Sequence, residues 1–144
     1  LHTSNGRITL ADVKGEIEAH TSNSRIEAIN VKGAVDLRTS NGKATIQESA
    51  GLFTAVTDNG SVQFDGEFES AGVNRYKTSN CSVKVRLGGE PSLKLEASTS
   101  NGSAQCSQPL VQHGLSGKNH LIGTIGAGDA SLTLQTSNGS ISVD

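Results

Sequence analysis

Apolar residues recur in pairs along the first half of the chain, and one polar residue separates the two members of each pair. Each pair follows a Gly, or a Ser that takes its place, in the order outward, apolar, outward, apolar. This period of two predicts short β-strands with one buried face, and nothing in the chain has the period of an amphipathic helix. The predicted inward pairs are Ile8/Leu10, Ile17/Ala19, Ile26/Ala28, Val35/Leu37, Ala44/Ile46, Phe53/Ala55 and Val62/Phe64.

A longer period is set by the tetrapeptide TSNG and its close variants, which occur seven times. The first six copies are 18 or 21 residues apart, and the last gap, of 37 residues, divides at Asn119 into 18 and 19. Because repeats of this length indicate stacked units, the chain predicts about eight coils of 18–21 residues. Val13 and Val31 break the alternation, and we expect a second corner of each coil to turn them inward.

Two architectures fit short strands that recur every nine residues. Asn-Gly is a strong hairpin signal, so an antiparallel β meander is the alternative. A parallel β-solenoid is preferred because the two halves of a coil end differently, one in TSNG and the other in VKG or SAG. A right-handed coil is expected from the prevalence of that form. The prediction is one all-β domain over residues 1–144, excised from a longer chain.

The tetrapeptide itself is predicted to be a corner that carries no chemistry. Gly permits a positive φ, Asn tolerates the left-handed region, and the hydroxyls of Thr and Ser bond to backbone atoms of the turn. Asn side chains that stack in register can also form a ladder of amide hydrogen bonds. The predicted ladder comprises Asn5, Asn23, Asn41, Asn59, Asn80, Asn101 and Asn138.

The amino-acid composition limits the classes of partner that we expect for such a domain. Ser, Thr, Asn and 17 Gly occupy much of the chain, with only 3 Phe, 1 Tyr and no Trp, so the core is expected to be thin. The net charge of −2 gives no basic footprint for nucleic acid. No apolar run reaches the length of a membrane span.

Four stretches of the chain carry a family resemblance. TSNGRITLADVKGEIEAHTSNSRIEAINVKGAVDLRTSNG, GSVQFDGEF, NRYKTSNCSVKVRLGGEPSLKLEASTSNG and GTIGAGDASLTLQTSNGSISV together resemble the bacterial adhesin β-repeat family, a domain of unknown function. The resemblance implies a β-helical, non-enzymatic domain of the cell envelope or the extracellular space. It supplies no catalytic residues.

Metal and cofactor sites find little support in the sequence. Calcium-binding β-rolls need acidic residues in their turns, whereas these turns hold Asn, Lys and Ser. His2 and His20 are expected to stack in one outward column, followed by Arg38, as a solvated pair without further ligands. We therefore expect neither a metal nor a cofactor.

Paired carboxylates are the one arrangement that suggests catalysis. Glu18 and Asp36 share an outward column, and glycoside hydrolysis uses two carboxylates across a cleft. A smooth solenoid face lacks a deep pocket, and Arg38 and Lys43 are expected close enough to neutralise the pair. Non-catalytic function is therefore preferred over a polysaccharide-active enzyme.

The two cysteines are expected to be unpaired with each other. Cys81 replaces the Gly of one corner, and Cys106 takes the inward position that Val85 holds one coil earlier. Their side chains then lie in different environments, which disfavours a disulfide. Tyr76 is taken as the one exposed aromatic residue that could stack on carbohydrate.

A basic column provides the candidate binding surface. Arg7, Arg25 and Lys43 follow the corner in successive coils, and Lys14 and Lys32 occupy the opposite corner. The expected function is a binding or display module whose partner is an anionic envelope polymer or another surface protein. A self-assembling scaffold that associates end to end is the alternative.

Overall fold

The computed structural model describes residues 1–68, 73–87, 92–107, 111–112, 119–126 and 130–144. These residues form 15 β-strands and no helix. The strands are β1 His2–Thr3, β2 Ile8–Ala11, β3 Ile17–Thr21, β4 Ile26–Ile29, β5 Lys32–Thr39, β6 Ala44–Thr57, β7 Val62–Phe68, β8 Val73–Thr78, β9 Val83–Leu87, β10 Leu93–Thr99, β11 Ala104–Cys106, β12 Val111–Gln112, β13 His120–Ile125, β14 Ala130–Thr136 and β15 Ile141–Val143.

The strands lie in two parallel stacks that β6 joins, because its 14 residues continue around a corner from one stack into the other. The first stack runs β1, β3, β5, the second half of β6, β8, β14 and β10. The second runs β2, β4, the first half of β6, β7, β9, β15 and β11. The predicted parallel β-solenoid is confirmed, and the antiparallel meander is wrong.

The core is the narrow space between the two stacks. Every inward pair predicted from the alternation is buried, and Val31 at the second corner is fully buried. The aromatic rings of Phe53 and Phe64 lie 5.2 Å apart, and those of Phe64 and Tyr76 lie 5.8 Å apart. These three rings lie on the second half of β6, on β7 and on β8, and they pack as tilted pairs between the two stacks.

The prediction that Tyr76 is exposed is wrong. The alternation of β8 turns Asn74, Tyr76 and Thr78 toward the core, and Tyr76 has no exposed surface. Burial raises the pKa of the Tyr76 hydroxyl well above its ordinary value, because the charged form loses its water. Among the described residues the hydroxyl finds no hydrogen-bond partner.

The side chain of Asn74 supplies a hydrogen-bond acceptor where the backbone pairing of β6 and β8 has not yet begun. The register between β6 and β8 begins only at Thr54 and Arg75, so the preceding N–H of Phe53 has no backbone acceptor from β8. The side-chain Oδ1 of Asn74 accepts that N–H at 2.7 Å instead. A buried Asn at an inward position therefore keeps a buried donor satisfied.

The glycines of the TSNG corners are required by close stacking and not by backbone conformation. None of these glycines in the described chain has a positive φ, which corrects the expectation from sequence. A Cβ at Gly42 would lie 1.8 Å from the carbonyl oxygen of Ser24, and one at Gly60 would lie 1.6 Å from that of Gly42. Successive corners are thus in direct backbone contact.

Positive φ values occur at the other corner. Gly15, Gly33 and Gly51 have φ between 117° and 146°. A second set, Asp12, Asn30 and Glu48, lies three residues earlier in each coil with φ of 50–53°. These short or acidic side chains recur every 18 residues, so the sequence carries a second periodic signal beside TSNG.

Six of the seven tetrapeptide Thr residues are buried, and the hydroxyl of each donates to the preceding corner of the rod. The hydroxyl of Thr57 donates to the carbonyl oxygen of Gly42 in the preceding coil at 3.1 Å and accepts the N–H of Gly60 in its own corner at 3.1 Å. Equivalent bonds to the preceding corner are made by Thr21, Thr39, Thr78, Thr99 and Thr136. One hydroxyl thus satisfies two buried backbone groups.

The predicted Asn ladder is present. Each Asn of the column after Asn5 donates its side-chain amide N–H to the side-chain oxygen of the preceding Asn along the rod, over 2.6–2.8 Å. The ladder joins Asn5, Asn23, Asn41, Asn59, Asn80, Asn138 and Asn101, in that order along the rod.

The order of the last coils differs from the expected one. The coil of β14 and β15 lies between the coil of β8 and β9 and the coil of β10 and β11. Asn119 stands outside the ladder and donates its side-chain amide to the carbonyl of Ser100 at 3.0 Å. It precedes β13, which is antiparallel to β10 and to β12, so the expected eighth coil is replaced by an antiparallel addition.

Replacement of Gly60 by Ala should destabilise the domain far more than replacement of Gly6. The Cβ at residue 60 meets a backbone carbonyl at 1.6 Å, whereas the nearest atom at residue 6 is the Thr3 Oγ1 at 3.0 Å. We expect Gly60→Ala to cost about 3 kcal/mol or more and Gly6→Ala less than about 1 kcal/mol. Thermal unfolding followed by circular dichroism measures both. Equal shifts in the midpoint would contradict the close-contact explanation.

Replacement of Asn59 by Asp should make stability depend on pH. Asn59 donates to Asn41 and accepts from Asn80, and only a protonated carboxyl can do both. The folded rod should therefore raise the pKa of the introduced carboxyl above about 4. The ladder then persists at low pH, and about 1–2 kcal/mol is lost as pH rises through the folded pKa.

The matched control is Asn5→Asp. Asn5 Oδ1 accepts from Asn23, and an ionised carboxylate does that well. Urea unfolding between pH 3 and pH 7 should give a growing difference from the unmodified protein for Asn59→Asp and a flat one for Asn5→Asp. Parallel pH profiles for the two variants would mean that the ladder does not require its donors.

Candidate binding surface

Arg7, Arg25 and Lys43 form a column, and each immediately precedes a strand of the second stack. Ile8 N donates to the carbonyl of Arg25, and Ile26 N to that of Lys43, so the three residues succeed one another at strand spacing. Arg7 and Arg25 are exposed, and Lys43 is half-buried. The structure therefore brings these three predicted residues together.

Serine continues the same column beyond Lys43. Ser61, Ser82, Ser140 and Ser103 occupy the equivalent position in the next four coils, as their carbonyl contacts with the following strands establish. The column is thus basic over the first three coils and hydroxylic over the last four. The position tolerates either residue type without a change in the corner.

Acidic neighbours compensate only part of this charge. Arg25 Nη1 lies 3.1 Å from Glu27 Oε1, and Glu27 is itself partly buried. No ion pair of Arg7 or Lys43 occurs among the residues that the structure describes. Two cations of the column therefore face solvent without an acidic partner from that part of the chain.

Lys14 and Lys32 belong to a separate cluster. They pair with each other as a parallel bridge at the second corner, and both are exposed. The next residue in their register is Ala50. As expected from the sequence, these two lysines lie at the corner opposite to the TSNG turns, so the five predicted basic residues form two clusters.

The carboxylates Glu18 and Asp36 are neighbours on the outer face of the first stack. Both oxygens of Asp36 accept hydrogen bonds from Arg38, each at 3.0 Å. The hydrogen bond to Asp36 is the main reason that the pKa of Arg38 is raised. Lys43 lies beyond the corner on the other stack, so the expectation that it also neutralises this pair is wrong.

His2 and His20 stack as predicted, with ring centres 6.2 Å apart. His20 Nε2 lies 3.2 Å from Glu18 Oε1, a contact that lacks the geometry of a hydrogen bond. The described residues hold no group of three or more potential metal ligands. A shallow concavity of about 270 Å³ on this face is lined by both histidines and Arg38.

The two cysteines form no disulfide with each other, and both are half-buried. Cys81 Sγ donates to the carbonyl of Asn59 at 3.3 Å, as Ser24 Oγ does to Asn5 at 2.8 Å. Cys106 follows Val85 and Val143 in register, in the inward column that the sequence predicted. It is less buried than they are because β11 pairs with β15 alone among the described strands.

A family model identifies the class of this domain. The fold is an all-β, mostly parallel repeat structure, and the Toastrack family DUF4097 matches residues 1–144. The chain therefore belongs to the Toastrack family, a domain of unknown function. Searches of curated proteins and of solved structures found no match. The part of the chain that the structure describes contains no helix that could span a membrane.

Proposed function

We propose that this domain is a non-catalytic binding and display module of the cell envelope. In this proposal a rigid rod presents the basic column to a polymer of phosphodiester chemistry. The observation that carries the proposal is the register of Arg7, Arg25 and Lys43, which repeats a positive charge at each of three neighbouring coils. The envelope location rests on the family resemblance of the repeat motifs.

Rigidity supports the display role. Every pair of neighbouring corners is tied by an Asn side-chain bond and by a Thr hydroxyl bond. Seven coils at a strand spacing of about 4.8 Å give a rod roughly 30 Å long. Such a rod holds its surface charges at fixed separations, which reduces the entropy lost when a regular polymer binds.

Electrostatics supports an anionic polymer in particular. A row of like charges at strand spacing destabilises the free protein, and a polyanion laid along the row relieves that repulsion. Each exposed contact contributes up to about 1 kcal/mol, so useful affinity requires several contacts at once. Lys14 and Lys32 form the second cluster that such a polymer can reach around the rod.

The absence of catalysis is part of the same proposal. Glu18 and Asp36 line a shallow concavity of about 370 Å³, and Asp36 is held by Arg38. A glycosidase needs one carboxyl that is protonated and one that is free to attack, on either side of a substrate. We expect no turnover in a polysaccharide screen, and no change with Glu18→Gln or Asp36→Asn. Turnover that either substitution abolishes would overturn this part.

Binding to poly(glycerol phosphate), measured by isothermal titration calorimetry at low salt, tests the polymer proposal. The triple variant Arg7→Ser, Arg25→Ser and Lys43→Ser should weaken binding about tenfold or more, since it removes about 1.4 kcal/mol or more of contact energy. The fold should survive because Ser occupies this position in the other four coils. Binding should also weaken with added salt.

The matched control removes the same charge elsewhere. Arg75, Lys77 and Lys94 are exposed on the outer face of the first stack. The triple Ser variant of these residues should change the affinity less than about threefold, a difference of about 0.7 kcal/mol. The double variant Lys14→Ala and Lys32→Ala measures the second cluster. Equal losses of affinity for the two triple variants would show that the basic column is not a specific binding surface.

A self-assembling scaffold is the second candidate function. Among the described strands β11 pairs only with β15, so one side of β11 forms no ladder with another described strand. An unpaired edge is a template for further strands. Light scattering across a range of concentrations separates the two functions. Growing polymers favour the scaffold, and a constant monomer mass favours the display module.

A further inference from the structure

The coil of β14 and β15, which we name the inserted coil, lies between two coils that precede it in the sequence. The coil of β8 and β9 lies on one side of it and the coil of β10 and β11 on the other. The inserted coil nevertheless follows both in the sequence. The chain therefore passes the site of insertion, adds β12 and β13 at the outer edge of β10, and then returns.

The inserted coil has complete contacts with both neighbours. β14 pairs with β8 from Ser131 to Thr136 and with β10 from Ala130 to Thr136. Asn138 donates to Asn80 and accepts from Asn101. The apolar residues of the inserted coil are nearly inaccessible to solvent: Ala130, Leu132, Leu134, Ile141 and Val143.

These contacts are of the types found between other neighbouring coils. Thr136 donates to the carbonyl of Cys81, and Thr99 donates to that of Gly139, as Thr57 does to Gly42. The contacts depend on the repeat pattern and on a Gly at residue 139. Nothing in them distinguishes an inserted coil of the same chain from that of a second, identical chain.

The connection into the inserted coil is short. Ile125 of β13 and Ala130 of β14 both pair with Leu93, from opposite sides of β10. The sequence leaves four residues, 126–129, between these two positions. Gly126 has a φ of 65°, a value that favours Gly over residues with a side chain.

We propose that the inserted coil exchanges between two copies of this chain, and that the site between β8 and β10 is a docking surface for the inserted coil of a second molecule. Domain swapping preserves every contact within the site and changes only the connection. Short connections favour it, because they open when the segment joins the partner. The inference is independent of what the rod binds.

Site-specific cross-linking tests the exchange. Ser142 of the inserted coil pairs with Lys84 of β9, and both side chains point away from the core. One batch carries Lys84→Cys and a second carries Ser142→Cys, both with Cys81→Ser and Cys106→Val to remove the native thiols. The batches are unfolded, mixed, refolded at high concentration and treated with a short bis-maleimide. Exchange predicts a dimer cross-linked between residues 84 and 142.

The control mixture pairs Ser142→Cys with Lys94→Cys, whose positions lie on different stacks. It should give only background cross-linking, in both monomers and swapped dimers. A yield for residues 84 and 142 no higher than this background would overturn the proposal. So would a dimer, seen by light scattering, that lacks the cross-link between 84 and 142, because such a dimer joins through another surface.

The connection provides a second, independent measurement. Gly126→Ala should raise the dimerisation constant about tenfold, because a side chain disfavours the positive φ of the folded-back monomer. Gly15→Ala is the matched control, since Gly15 also has a positive φ but has open space around it and lies far from the inserted coil in the stack. Equal dimer fractions for the two variants would overturn the proposed role of the connection.

Discussion

The contact on which this structure depends is the approach of one backbone corner to the next at the TSNG turns. Where a side chain would project from Gly42 or Gly60, the carbonyl oxygen of the previous corner already stands. That approach brings the buried Thr hydroxyl within hydrogen-bonding distance of two backbone groups, and it brings the Asn amides within reach of one another. The regular spacing of the rod follows from this contact, and the alternation of apolar residues then fills the space between the stacks.

Two corners reach the same stacking without a Gly. Ser24 and Cys81 stand where the other corners have Gly, and each donates its side-chain hydrogen to the carbonyl of the Asn below. In both of these coils the N–H groups of two successive residues converge on one carbonyl, that of Ser4 or that of Asp58, and the corner with Gly139 makes the same pair of bonds to Ser79. A small side chain that carries a donor is therefore accommodated at this position, and the column of amides continues unbroken.

Most of the fold could be predicted from the sequence because every repeat has the same pattern of inward, outward and corner residues. Inward residues, parallel pairing and the Asn ladder all follow from periods of two and 18. The order of the last coils could not be predicted, since any coil with this pattern fits beside any other. Tyr76 was misassigned because its strand follows a three-residue insertion, where the alternation has no fixed starting point. The basic residues were located correctly, but a sequence without a ligand does not say what they bind.

Asn-Gly sequences deamidate by a well-defined reaction, in which the backbone nitrogen of Gly attacks the side-chain amide carbon of Asn and ammonia leaves. In this rod the N–H groups of Gly6, Gly42, Gly60 and Gly102 are each donated to a Thr hydroxyl, at 3.1–3.2 Å. The nucleophile of this reaction is thereby engaged in a hydrogen bond, and the ladder bonds each Asn amide to a neighbouring Asn. The bond that positions the corner thus also protects the chemical integrity of a surface whose shape depends on intact asparagine.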